Sequence, residues 1–340
     1  MTLRALALAV LLAACGPASA ADPLTAAIAD AKAAKRPLLA VIGAGAECRG
    51  CRYLEARVLT GERWAAVEKR AIVQRLALDA ALAEGHQIHR TPTVLVIGPD
   101  GAERGRIVGE RTAEAFFGTV EALLARSSGL DRQRWLAQET TREGAAATAA
   151  LLENFHARDL GDAGFAWWLR LPLAVRGQHG GTPEVLHWRN RVEFLRSAQR
   201  RDLPAGVIAG AKVLADPLVG CDRGTELARL VALVGSSRPA VLDAEVAASE
   251  AALDTDALAA SPACADAPAL VLAVTALHAA RGDRAAAESV LSRAIAATEA
   301  RRDTPGNRDI AALDLALYRQ RLATLPASLN AATIPAGAIR

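Results

Sequence analysis

Apolar positions in the first third of the chain alternate between two periods. Leu24, Ile28 and Ala31 recur at helical spacing, which predicts a helix over 24–35. Arg36-Pro37 ends it, because proline lacks an N–H and clashes with the preceding turn. Residues 38–43 form a short unbroken apolar run, the mark of a strand buried on both faces. Gly43-Ala44-Gly45-Ala46 turns the chain. A helix is expected over 51–59, with Tyr53, Leu54 and Val58 on its apolar side, and a shorter one over 64–70. Residues 72–78 alternate as a strand does, apart from Ala77, and 80–88 read as a helical or loop connection. Residues 93–97 are a strand, Pro99-Asp100-Gly101 a turn, and 104–108 a strand that pairs back. Thr112 is placed to cap a helix that runs to 124, with Glu114 near its positive end.

Beyond that point only the helical period persists. Helices are expected over 131–138, 141–157, 164–171, 183–199, 206–214, 224–234, 241–253, 268–281, 284–300 and 309–322, joined by short Gly-, Pro- or Asp-containing connections. Residues 269–297 are the clearest unit: two amphipathic helices flank Gly282-Asp283, with small residues where they would touch. That pair resembles a tetratricopeptide-type helix pair, although no clean period runs through the region. An irregular α-helical domain reads equally well. The chain thus divides into an α/β domain over 24–127 and an all-α domain over 131–325.

Residues 1–20 read as an export leader. Arg4 lies in a short charged start, and the apolar stretch 5–14 is too short to span a bilayer. Leu12-Ala13-Ala14-Cys15 has the form of a lipobox that would make Cys15 a lipidated N-terminus, while Ala18-Ser19-Ala20 fits an ordinary signal peptidase. The periplasm is the expected location, with membrane attachment only through a lipid on Cys15. A net charge of +3 spread along the chain gives no basic stripe, and 4% aromatics give no stacking platform, so nucleic acid is not an expected partner. No second Cys-x-x-Cys and no zinc-finger His spacing is present, so neither a structural zinc site nor any other cofactor is expected. No Ser-His-Asp signature, P-loop or dinucleotide fingerprint occurs in the helical part.

The candidate chemistry is Cys48-Arg49-Gly50-Cys51, followed forty residues after Cys51 by Thr91-Pro92-Thr93. A dithiol at the start of a helix benefits from the dipole and free N–H groups, which favour the thiolate of its first cysteine. The order β, Cys-x-x-Cys helix, β, Thr-Pro strand, hairpin strand, helix resembles the thioredoxin fold. Residues 30–126 are similar to the domain at the C-terminal end of the DsbD family of transmembrane disulfide reductases. The likeness is carried by Lys35-Arg36-Pro37-Leu38-Leu39, the dithiol, Thr91-Pro92-Thr93 and Gly98-Pro99-Asp100-Gly101. It implies that Cys48 is the attacking cysteine and Cys51 the resolving one, that Pro92 is a cis proline, and that Glu55 is the acid one turn after the dithiol. It places Arg49, Gly50 and Thr91 on the substrate-binding face. Protein thiols and disulfides become the expected partners, with a membrane electron donor as a further candidate.

Two positions depart from that pattern. Glu47 stands where Trp is usual before the first cysteine, and Ile42 where a buried proton-carrying acid is frequent. Glu47 disfavours a Cys48 thiolate while Arg49 and Arg52 favour it, so the redox direction stays open. Other readings of the same residues are a structural disulfide without turnover, a non-catalytic binding scaffold, and a soft copper or zinc site made by the dithiol with His86 or His89. Trp167, Trp168 and Trp188 read as core or domain-interface residues. In an oxidising compartment, Cys221 and Cys264 are expected to form a structural disulfide. Closing such a loop stabilises by roughly 4 kcal/mol in the chain-entropy treatment.

Overall fold

A computed structural model describes residues 22–234, 267–303 and 307–325. The leader, Cys15, the helix expected over 241–253, and Cys264 with its expected bond to Cys221 lie outside the described residues.

The α/β part begins with α1 (Pro23–Ala33), whose Asp22 side chain accepts from the Leu24 and Thr25 amides. Strand β1 (Leu38–Gly43) follows, then α2 (Arg49–Tyr53), which runs on through a π turn at Leu54–Val58. Next come α3 (Gly61–Arg70), β2 (Ile72–Ala77), α4 (Ala80–His86), β3 (Thr93–Ile97), β4 (Glu103–Val108) and α5 (Ala113–Ala125). Thr112 caps α5 through the Ala115 amide, as expected. The strands form a four-stranded sheet in the order β2-β1-β3-β4. β1 runs parallel to β2 and antiparallel to β3, and β4 is antiparallel to β3.

The two-residue period of β1 explains its double burial. Leu39 and Val41 face α2, α3 and α5, where they meet Tyr53, Trp64 and Phe116. Leu38, Ala40 and Ile42 face α1 and α4, where they meet Leu24 and Leu82. A strand covered on both faces needs no polar alternation, and its sequence shows none.

Helices follow from Gly129 on: α6 (Leu130–Leu136), α7 (Arg142–Ala157), α8 (Gly161–Arg170), α9 (Leu173–His179), α10 (Pro183–Gln199) and α11 (Leu203–Ala215). A 3-10 turn (Pro217–Asp222) leads into α12 (Arg223–Val234), and α13 (Ala267–Arg281), α14 (Arg284–Arg301) and α15 (Arg308–Ala323) complete the described chain. Helix α9 was not expected. It is only seven residues long, and Pro172 and Gly180 bracket it so closely that the segment reads as a connection. The pair around Gly282 is a helical hairpin: Gly282 has φ +82°, and Asp283 caps α14 through the Ala286 amide. At Gly224 a Cβ would come within 2.5 Å of the Leu270 backbone nitrogen, so glycine lets α12 and α13 approach this closely. Among the described residues, no helix is long and apolar enough to cross a membrane.

Last helix and first sheet share a core. Ile310 of α15 belongs to the apolar cluster of Leu39, Phe116 and Tyr53, while Tyr318 of the same helix belongs to the large cluster of the helical part. Ion pairs add to this junction, among them Arg158–Glu103 (2.6 Å) and Arg111–Asp222 (2.5 Å).

Candidate functional site

Cys48 occupies the N-cap of α2, where its Sγ accepts from the Cys51 amide at 3.2 Å. Cys48 and Cys51 are joined as a disulfide, with Cα atoms 5.2 Å apart. The residue spacing makes this local: three residues bring both sulfurs onto the first turn of one helix. The Thr91–Pro92 peptide bond is cis, as the motif predicts. Thr91 Oγ1 lies 3.5 Å from Cys48 Sγ. Among the described residues, the Thr91 backbone makes no hydrogen bond, whereas the Pro92 carbonyl accepts from Gly109. The strand edge beside the dithiol is therefore open where an extended peptide could pair.

Gly50 is buried against that loop. A Cβ there would stand 2.8 Å from Glu110 Cγ and 2.9 Å from Pro92 Cδ. Cys51 faces the other way, into a cavity of about 270 Å³ that it shares with Ile42, Gly43, Leu76 and Glu55. Glu55, the acid one turn after the dithiol, lines that cavity but forms a two-toothed ion pair with Arg75 of β2, at 2.9 and 3.1 Å. Glu47 is exposed.

Arg49 differs from its expected role. Its guanidinium does not face out for a substrate; it is held by Glu110, just after β4, and by Asp314 of α15. Burial opposes its charge, but these two carboxylates outweigh burial and hold the guanidinium above its ordinary range. Burial pushes the Glu110 carboxyl up, against the pull of Arg49 and with the help of neighbouring Asp314. Two carboxylates, one buried and one partly buried, share one cation. Glu110 and Asp314 have no sequence signal of their own, because Asp314 lies 265 residues from Arg49 and meets it only through the fold.

The histidines do not gather at the dithiol. His86 sits 3.4 Å from Asp22 and His89 is exposed. Among the described residues, no group of three or more His, Cys, Asp or Glu side chains is placed to hold a metal ion. Trp168 is core, with Trp167 partly buried beside it. Trp188 lies at the junction between the α/β and helical parts.

Residues 24–124 match the sequence profile of a thioredoxin-like domain. No curated protein matches the chain.

Proposed function

We propose that this protein is an exported thiol–disulfide oxidoreductase whose thioredoxin-like domain exchanges disulfides with protein substrates, and whose helical region docks them. One observation carries the reading: Cys48 Sγ sits at a helix N-terminus, within reach of Thr91 on the cis-proline loop, with open backbone beside it. A structural staple has no need of that loop.

In the reducing direction, the Cys48 thiolate attacks a substrate disulfide, forming a mixed disulfide and releasing one substrate thiolate, which takes up a proton. The Cys51 thiolate then attacks Cys48 Sγ, and the second substrate thiol departs. The substrate gains two electrons and the protein ends as the Cys48–Cys51 disulfide. The likeness to the DsbD-type domain supports a membrane dithiol donor as the source of those electrons. The leader pattern supports a periplasmic site of action, with Cys15 as the lipid anchor. Packing of α13 against α14 around Gly282 supports the tetratricopeptide-like character of the docking region.

Trapping tests the roles. Cys51→Ser should accumulate mixed disulfides with exported proteins, visible as reductant-sensitive adducts, and Cys48→Ser should not. Equal trapping by both variants, or none by either, overturns the assignment.

A further inference from the structure

A second cavity, of about 200 Å³, lies between the sheet edge and the helical region. Thr91 lines it and also lies 3.5 Å from Cys48 Sγ, so one residue joins the cavity to the dithiol. Most of its charges are already matched. Arg106 is held by Glu103. Arg111 and Arg191 share Asp222, and Arg191 also holds Glu226. Glu110 is taken by Arg49. His156, buried beside Glu226, is neutral, because burial depresses its pKa to about 3.

Two lining groups remain. The side chains of Arg90, which is exposed, and of Glu153, half-buried on α7, have no hydrogen bond or ion pair among the described residues. Burial pushes the Glu153 carboxyl up, against the pull of Arg126, Arg111 and Arg191 nearby. The cavity is smaller than the roughly 300–1,000 Å³ of pockets for drug-sized ligands. It suits a few heavy atoms carrying one anionic and one cationic group.

We propose that this cavity binds the α-amino acid end of a small sulfur zwitterion, a half-cystine, with its carboxylate on Arg90 and its ammonium on Glu153 and its sulfur directed past Thr91 to Cys48. This deepens the oxidoreductase reading and rests on it: cystine becomes a second substrate class beside protein disulfides. The Cys48 thiolate attacks one cystine sulfur, and one cysteine leaves and is protonated. The other cysteine stays as a mixed disulfide until Cys51 displaces it. The dithiol is oxidised, and cystine is reduced to two cysteines.

Two measurements test this. Calorimetric titration of the oxidised protein uses unreactive probes: S-methylcysteine, methylthiopropionate without the ammonium, and methylthioethylamine without the carboxylate. The zwitterion should bind about tenfold or more tightly than either single-charge probe, and Arg90→Gln and Glu153→Gln should each remove about that advantage. Single-turnover oxidation of the reduced protein compares cystine, cystamine and dithiodipropionate. Arg90→Gln should lower the cystine-to-cystamine rate ratio, and Glu153→Gln the cystine-to-dithiodipropionate ratio. Equal binding of the probes, or ratios untouched by both substitutions, overturns the proposal. A protein that reduces protein disulfides yet shows no zwitterion preference refutes this site alone. A dithiol that exchanges with no disulfide refutes the oxidoreductase reading, and the titration still decides the cavity.

Discussion

At the residue scale, the surroundings of the dithiol include side chains that the Cys-x-x-Cys motif does not contain. Arg49 would favour a Cys48 thiolate if its charge were free, but Glu110 and Asp314 surround it. The cluster sets two carboxylates, a surplus of acid, against the one cation that follows Cys48 in sequence. Asp314→Asn removes part of that surplus, so the Cys48 thiolate should form more readily. Alkylation of the reduced protein followed against pH should show the titration midpoint moving down in Asp314→Asn and up in Arg49→Gln. Midpoints that move together, or stay still, would disprove the charge argument. Gly50 has a steric role in the same place. Gly50→Ala drives a methyl group into the Pro92 ring and the Glu110 stem, both within 3 Å. Glu110 can yield, but the ring cannot, so a loss of about 1–3 kcal/mol in denaturant unfolding is expected.

At the element scale, α7, α10 and α12 are held together by buried polar groups as well as by apolar packing. Glu226, fully buried on α12, accepts from Arg191 at 2.8 Å and pairs with Arg229, while His156 Nε2 of α7 lies 3.2 Å away. Burial opposes the Glu226 charge, yet these neighbours hold its pKa well below the ordinary value. His156 has the opposite fate, with its pKa lowered to about 3 by burial and by Arg191. Below pH 6.5 the unfolded chain takes up a proton at His156 that the folded chain refuses until about pH 3. Acid therefore favours unfolding through this window, by up to about 1.4 kcal/mol per pH unit from this group. Burial lowers His179 and His187 as well, and they act in the same direction. Denaturant unfolding across the window should show His156→Gln with a shallower acid dependence than the native chain. Parallel curves would remove His156 from the account.

At the scale of the whole molecule, the last described helix stabilises the first sheet. Ile310 is 7% exposed and belongs to the core beneath β1 and β3, although it lies nearly two hundred residues beyond α5. Ile310→Ala should cost about 2 kcal/mol, toward the low end for a core truncation because Ile310 is among the more exposed members of its cluster. Hydrogen exchange should place part of that loss in the amides of β1 and β3. Exchange altered only within α14 and α15 would show that the helix does not share the sheet's core.

The sequence by itself determined the elements and the reactive pair. Residues 38–43 read as a strand covered on both faces, and residues 183–199 were legible as a helix from Pro183 to Gln199. Cys48 and Cys51 needed only local geometry, since three residues at a helix start bring the sulfurs together. Thr91-Pro92 needed a motif as well, because no period in the chain announces a cis bond. Tertiary structure alone decided what surrounds the pair. Arg49 read as a residue of the substrate-binding face until Glu110 and Asp314, distant in sequence, were folded onto it. Glu55 read as a lone acid until β2 brought Arg75 alongside. Periodicity reports which face of an element is buried, but not which partner buries it. A charge of either sign gives the same polar signal, so the pairing of charges at this site is a property of the fold.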